Sequence, residues 1–310
     1  MGRVLFDRGR GRTRKENYIG LCRSTDRGHT WGQLEEVLRY DDQACLFSEV
    51  FIHDGCITIF VQTHGGYFED WCVWTITSED NCHAWSAPKA FAPMRRRAFL
   101  WNRYITSWGE WILPFQTYDT ADDPSLSPCK DGSIQRAYNG VLISADAGQT
   151  WISSNRIGPT RLWAENNVVE LSDGTLVMLI RTGTGWLHRS VSKDRGRTWI
   201  DPSPTDIPNP GTRFRLFRLS DGQIVLLHNP NPATSHPNSK RQALCNRNPL
   251  ALWISEDDMR TWGYRRVLTD FPGMLAYPDG VVDKKEEYIQ FAFDYNRHDV
   301  IYWGAKLPAP

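Results

Sequence analysis

Ser144–Trp151 reads SADAGQTW, an octapeptide whose pattern S-x-D-x-G-x-T-W is written five times along the 310 residues. The other copies are STDRGHTW (Ser24–Trp31), SEDNCHAW (Ser78–Trp85), SKDRGRTW (Ser192–Trp199) and SEDDMRTW (Ser255–Trp262), of which SEDNCHAW and SEDDMRTW are degenerate. Each follows a strand-like run, such as residues 18–23 or 249–254, and leads into another short segment, as a hairpin turn does. The letters have physical reasons. Asp26, Asp80, Asp146, Asp194 and Asp257 can accept backbone N–H bonds inside the turn, and a glycine such as Gly148 suits a positive φ. The tryptophan is expected to pack between neighbouring sheets. One octapeptide arises by chance; five copies about 48 to 66 residues apart set one four-stranded unit per repeat.

A second periodic element works outward from the first: a strand, a tight turn at glycine, then another strand. It occurs at 50–62, 104–116, 168–181 and 216–229, with turns at Gly55, Gly109, Gly174 and Gly222. No long helix-period segment intervenes. The two elements together predict an all-β chain, a six-bladed β-propeller spanning residues 1–310 as a single domain. Gly2 occupies the turn register of the first blade, so that blade is expected to be incomplete at its N-terminus. Proline-rich stretches at 203–210 and 230–237 are expected to be loops between strands.

Composition narrows the classes of function. Lys plus Arg equals Asp plus Glu at 36 each, so no global field favours nucleic acid or an anionic membrane. A hydrophobic fraction of 40% supports a sizeable core rather than disorder. Seven cysteines form no CxxC pair and no metal-ligand spacing with histidine, so neither metal nor disulfide framework is expected, and no cofactor. The start, MGRVLFDRGRGRTRKENY, has no apolar run, so the chain is expected to be cytosolic if it is complete as written and to be a trimmed piece otherwise. Fourteen Trp and eleven Tyr are many for the length, and aromatic faces serve both as core and as platforms for sugar rings. Nothing indicates an oligomeric state.

In a propeller the inner strands converge, so residues at one register in different blades face one funnel. Nine residues before and seven after the turn glycine, the Gly174 hairpin places Glu165 and Arg181 there. The same offsets give Gln62, with His64 beyond it; Gln116, with Tyr118 beyond it; and Arg213 with Asn229. Such a polar set calls for an anionic ligand, because a guanidinium fork matches a carboxylate with two parallel hydrogen bonds.

From about Ile19 to its end, the chain resembles the sialidase superfamily, the neuraminidase-like group with Asp-box repeats. The resemblance rests on the five octapeptides and on AENNVVELSDGTLVMLIR (164–181), CNRNPLALWISED (245–257) and MLAYPDG (274–280). It implies Tyr277 as nucleophile, Glu165 as the group that takes its proton, and Arg181 and Arg247 as binders of a substrate carboxylate. The family's first arginine and its aspartate acid have no counterpart in RGRTRKE (10–16), where Glu16 and Asp7 fall out of register. The first expectation is therefore a glycoside hydrolase acting on an acidic sugar, with an acidic oligosaccharide or polysaccharide as partner. A second is a lyase that cleaves beside a uronate, with Arg181 neutralising the carboxylate and His64 or Tyr118 removing a proton. A third is a carbohydrate-binding propeller without catalysis. Gln62, Tyr118 and Arg213 are further candidate contacts to substrate, while DYNRHD (294–299), with Arg297 and His298, is expected to be a closing turn.

Overall fold

The computed structural model describes residues 2–8, 17–65, 71–94, 98–118, 136–161, 165–232, 247–269, 271–283, 285–297 and 299–308. They form two compact units, residues 1–153 and 154–310. Both are built of short antiparallel strands, with no α-helix among the described residues.

The first unit holds three sheets. Strands β1 (Gly2–Arg8), β2 (Tyr18–Ser24) and β3 (Glu35–Leu38) make a three-stranded sheet. Strands β4 (Ala44–His53), β5 (Cys56–His64), β6 (Cys72–Ser78) and β7 (Lys89–Ala90) follow in serial order. The third sheet contains β8 (Ala98–Leu100), β9 (Tyr104–Ile105), β10 (Trp111–Tyr118), β11 (Arg136–Ser144) and β12 (Ile152–Ser153), ordered β12-β11-β10-β8 with β9 beside β10. Its packing follows from the box tryptophan. Trp151 sits with its ring centroid 6.1 Å from Phe51 and 6.0 Å from Phe91, both in the preceding sheet or its continuation, while Phe51 stacks on Trp111 at 4.5 Å. Burying such rings against one another is what fastens one sheet to the next.

A short strand, β13 (Ile157–Arg161), opens the second unit, which also has three sheets. The first is β14 (Asn166–Glu170), β15 (Leu176–Ile180), β16 (Trp186–Ser192) and β17 (Ser203–Pro208). The second is β18 (Arg215–Arg218), β19 (Ile224–His228), β20 (Ala251–Ser255) and β21 (Tyr264–Val267). The third is β22 (Leu275–Val282), β23 (Tyr288–Tyr295) and β24 (Asp299–Lys306). Among the described residues three sheets thus run as four serial strands, and the others depart from that uniform unit. The stretch 203–210 is a correction: β17 occupies most of it, because an edge strand tolerates Pro204 and Pro208. The stretch 230–237 is irregular through Pro232, and its remainder lies outside the described residues.

The three octapeptides that keep glycine close the same circuit of bonds. Ser144 Oγ donates to Asp146 Oδ1 at 2.8 Å and accepts from the Gly148 amide at 2.7 Å. The Thr150 amide donates to Asp146 Oδ1 at 2.8 Å, and Trp151 Nε1 donates to the Gly148 carbonyl at 3.0 Å. Gly148 has φ +88°. In the degenerate copies Cys82 and Met259 take that place at φ 67° and 64°, and their amides still reach the box serine. A side chain in this region costs about 1–2 kcal/mol, so the serine and aspartate bonds must outweigh it there.

The inner hairpin that matters for function is β14–β15. Turning at Gly174 with φ +82°, it pairs Asn166 with Ile180. One residue further out, the Arg181 amide donates to the Glu165 carbonyl at 2.9 Å, so the two charged side chains leave the sheet together. Asparagines then tie adjacent inner strands of this unit. Asn167 Nδ2 donates to the Phe214 carbonyl at 2.9 Å, and Asn229 Nδ2 donates to the carbonyls of Pro249 and Leu275 at 2.9 Å each. Asn229, placed by register among the site residues, is thus a fully buried clasp between strands.

Candidate active site

Five of the sequence-predicted residues come together in the second unit, at the ends of its hairpins. Glu165 precedes β14, Arg181 follows β15, Arg213 precedes β18, Arg247 precedes β20, and Tyr277 lies in β22. Tyr277 is the centre. The guanidinium carbons of Arg213, Arg247 and Arg181 lie 5.0, 5.2 and 5.9 Å from its ring centroid. A fourth, that of Arg297 in the turn after β23, lies at 4.6 Å, and its Nη2 donates to the Tyr277 hydroxyl oxygen at 2.9 Å. Arg297 was read from the sequence as part of a closing turn; it is in that turn, and it also belongs to the cluster.

The backbone at the centre is irregular. The β22–β23 register shifts between Ala276 and Asp279, and Tyr277 within that bulge has φ 56°. A non-glycine residue in the left-handed region just before proline is unfavourable twice over, and persists only where its surroundings over-determine it. Such outliers concentrate at functional sites.

Charge is held in pairs at the back of the cluster. Arg181 Nη1 donates to both Glu165 carboxylate oxygens, at 2.9 and 2.7 Å, with Arg181 only 5% and Glu165 2% exposed. Arg297 Nη1 meets Asp294 Oδ2 at 3.2 Å. Arg247 differs. Its Nη2 donates to the Gly211 carbonyl at 2.9 Å, but its Nε and Nη1 are buried with no hydrogen-bond partner among the described residues. Burial pulls this guanidinium below its usual pKa; Tyr277 opposes that shift, and Arg181 reinforces it. Desolvated donors beside further cations are the setting in which a bound anion contributes most.

The remaining predicted residues belong to the first unit. Gln62 is fully buried, its amide donating to the Ala98 carbonyl at 3.1 Å and to Ser48 Oγ at 3.3 Å. His64 is 1% exposed and stacks on Trp71, ring centroids 4.3 Å apart. Tyr118 ends β10 opposite Ala137, with its side chain outside the described atoms; His298 is also outside the described residues. Among the described residues no group of three or more His, Cys, Asp or Glu is placed to hold a metal ion.

An all-β, propeller-like scaffold of serial hairpin sheets, carrying a tyrosine ringed by guanidinia, is the class of protein these features define. The chain belongs to the BNR repeat-like domain family of sialidase-like proteins, whose sequence profile matches residues 9–289. Among solved structures it is similar to the Hadza microbial sialidase Hz136, at TM-score 0.71 and 17% identity over 94% of this chain and 60% of that one. The NanB sialidase from Streptococcus pneumoniae gives TM-score 0.71 and 17% identity over 97% of this chain and 65% of its own. The intramolecular trans-sialidase from Ruminococcus gnavus, in complex with oseltamivir carboxylate, gives 0.64 and 15% over 92% and 86%. At these identities the likeness concerns the fold, and the chain spans less than two thirds of the first two enzymes. No curated protein matches the sequence.

Proposed function

We propose that residues 1–310 close as one six-bladed propeller and act as a glycoside hydrolase on a sugar bearing a carboxylate. The observation that carries this reading is the convergence of Arg181, Arg213 and Arg247 on the Tyr277 ring, beside a buried glutamate. The structural relative that holds oseltamivir carboxylate supports a carboxylate ligand for this scaffold. Arg181, Arg213 and Arg247 grip the carboxylate and set the sugar's orientation. Tyr277 Oη attacks the anomeric carbon while Glu165 accepts the phenolic proton; the glycosidic oxygen leaves with its electron pair, and water then releases the sugar. Two displacements at one carbon retain its configuration.

The sequence supplies no aspartate acid in the family register, so leaving-group protonation is the weak step of this chemistry. Activated aryl glycosides of acidic sugars, whose leaving groups need no proton, are the substrates to test first. The expected outcome is turnover of such an aryl glycoside that is abolished in Tyr277→Phe; undiminished turnover in that variant excludes Tyr277 as nucleophile.

A second reading, saturable binding without turnover, is favoured by one contact: both oxygens of Glu165 are already engaged by Arg181. It predicts that acidic sugars bind to native protein and to Tyr277→Phe alike, with no product from either. Appearance of an unsaturated-uronate absorbance band from glucuronate-containing polysaccharide would instead assign the protein to the lyases.

A further inference from the structure

We propose that Arg297 is the positioning residue that fixes the Tyr277 hydroxyl and favours its deprotonated form, an inference that rests on Tyr277 being the nucleophile. Arginine has only donors to offer, so in the 2.9 Å contact between Arg297 Nη2 and Tyr277 Oη the phenolic oxygen is the acceptor. A neutral phenol accepts weakly. A phenolate accepts a charge-assisted bond from a cation, and such a bond stabilises the ionised form.

The turn that carries Arg297 is built to hold this geometry. Asp294 Oδ1 accepts the Arg297 backbone amide at 2.7 Å, and its other oxygen meets Nη1, which orients the guanidinium with Nη2 towards the tyrosine. Asn296 and Arg297 both occupy the left-handed region, at φ 54° and 63°. Asn296 then bolts the turn to the strand entry. Its Oδ1 accepts the Met274 amide at 2.8 Å, and its own amide donates to the Met274 carbonyl at 2.9 Å, three positions before Tyr277. Removing the Arg297 side chain therefore deletes its contacts to Tyr277 and its ion pair with Asp294, and leaves the backbone anchors of the turn at Asp294 and Met274 in place.

The charges that face Tyr277 from the other elements act in the same direction. Arg181, Arg213 and Arg247 approach its ring from three hairpin ends. Among the described residues the nearby carboxylates are each committed to an arginine: Glu165 to Arg181, Asp294 to Arg297, and Asp279 to Arg215 at 3.4 Å. The directed bond from Arg297 Nη2 to the hydroxyl oxygen gives it a role beyond that of a general cationic field.

The test is a tyrosinate absorbance titration of the full chain, subtracting the titration of Tyr277→Phe so that one residue is read. The native difference curve is expected to have its midpoint below the ordinary tyrosine value of about 10. Arg297→Gln and Arg297→Met are each expected to raise that midpoint by about one pH unit, a roughly tenfold change in proton affinity, and Arg297→Lys by less. Coincident native, Gln and Met curves would overturn the proposal. Arg297 is an exposed turn residue, so these variants are expected to fold, with two removals available should one fail. In parallel, the kcat–pH limb for an aryl glycoside of an acidic sugar is expected to move to higher pH with little change in KM. If no variant and no native protein turns that substrate over, the hydrolase reading falls, while the titration still decides the role of Arg297.

Discussion

Glu165 and Arg181 form a buried ion pair, and such a pair is fragile in a particular way. Each partner alone is a desolvated charge, whereas both together can be exchanged for apolar groups at small loss. Arg181→Met is expected to destabilise the protein by about 3–5 kcal/mol, and Glu165→Leu combined with Arg181→Met to recover most of it; urea denaturation of the native protein, both single variants and the double variant measures the coupling. Gly148 is a second point of fragility. A Cβ there would lie 3.0 Å from Trp111 Cζ3 and 3.5 Å from Trp151 Cζ2 on a backbone at φ +88°. Gly148→Ala is expected to lose about 1–3 kcal/mol, read from the shift in denaturation midpoint at constant slope. Met259 and Cys82 occupy the equivalent place in their own turns, so the expected loss at Gly148 comes from the neighbouring indoles as much as from the backbone.

At the scale of the element, the box turn is a device that uses an ionised aspartate. The Thr150 hydroxyl and amide, with the Ser144 hydroxyl, hold Asp146 down to about 2, and Thr261 and Ser255 do the same for Asp257. Because the folded values lie below the unfolded value of about 3.9, this stabilisation is complete above that pH and is lost as pH falls towards 2. Stability measured by chemical denaturation is expected to be flat from neutral pH to about 5 and to fall between about 4 and 2, with a shallower fall in Asp146→Asn. These turns were legible in the sequence because their bonds close within eight residues. The Glu165–Arg181 juxtaposition was legible for a related reason: one glycine fixes the register of one hairpin. The clasp made by Asn229 was not, since its bond to the Leu275 carbonyl depends on how one sheet packs beside the next, and Arg297 was not, since its reach to Tyr277 depends on the bulge in β22; no local spacing encodes either. The edge strand β17 was hidden by its prolines, read as loop signals although an edge leaves their missing N–H groups without consequence.

The whole molecule poses the question of cooperativity. If residues 1–310 close as one ring, the tryptophan signal and the backbone signal are expected to report a single coincident unfolding transition. Two separated transitions would mean that the units 1–153 and 154–310 fold as independent bodies, and the one-ring proposal would be withdrawn. The family assignment is unaffected by that outcome, because it rests on the sequence across residues 9–289.

The turn bearing Arg297 follows Tyr277 by twenty positions along the chain. During synthesis, Arg181, Arg213 and Arg247 have therefore all been made before the group that touches the tyrosine hydroxyl leaves the ribosome. A nascent chain halted just after Tyr277 would carry all five octapeptide turns and three of the guanidinia, with the tyrosine hydroxyl still lacking the partner that holds it.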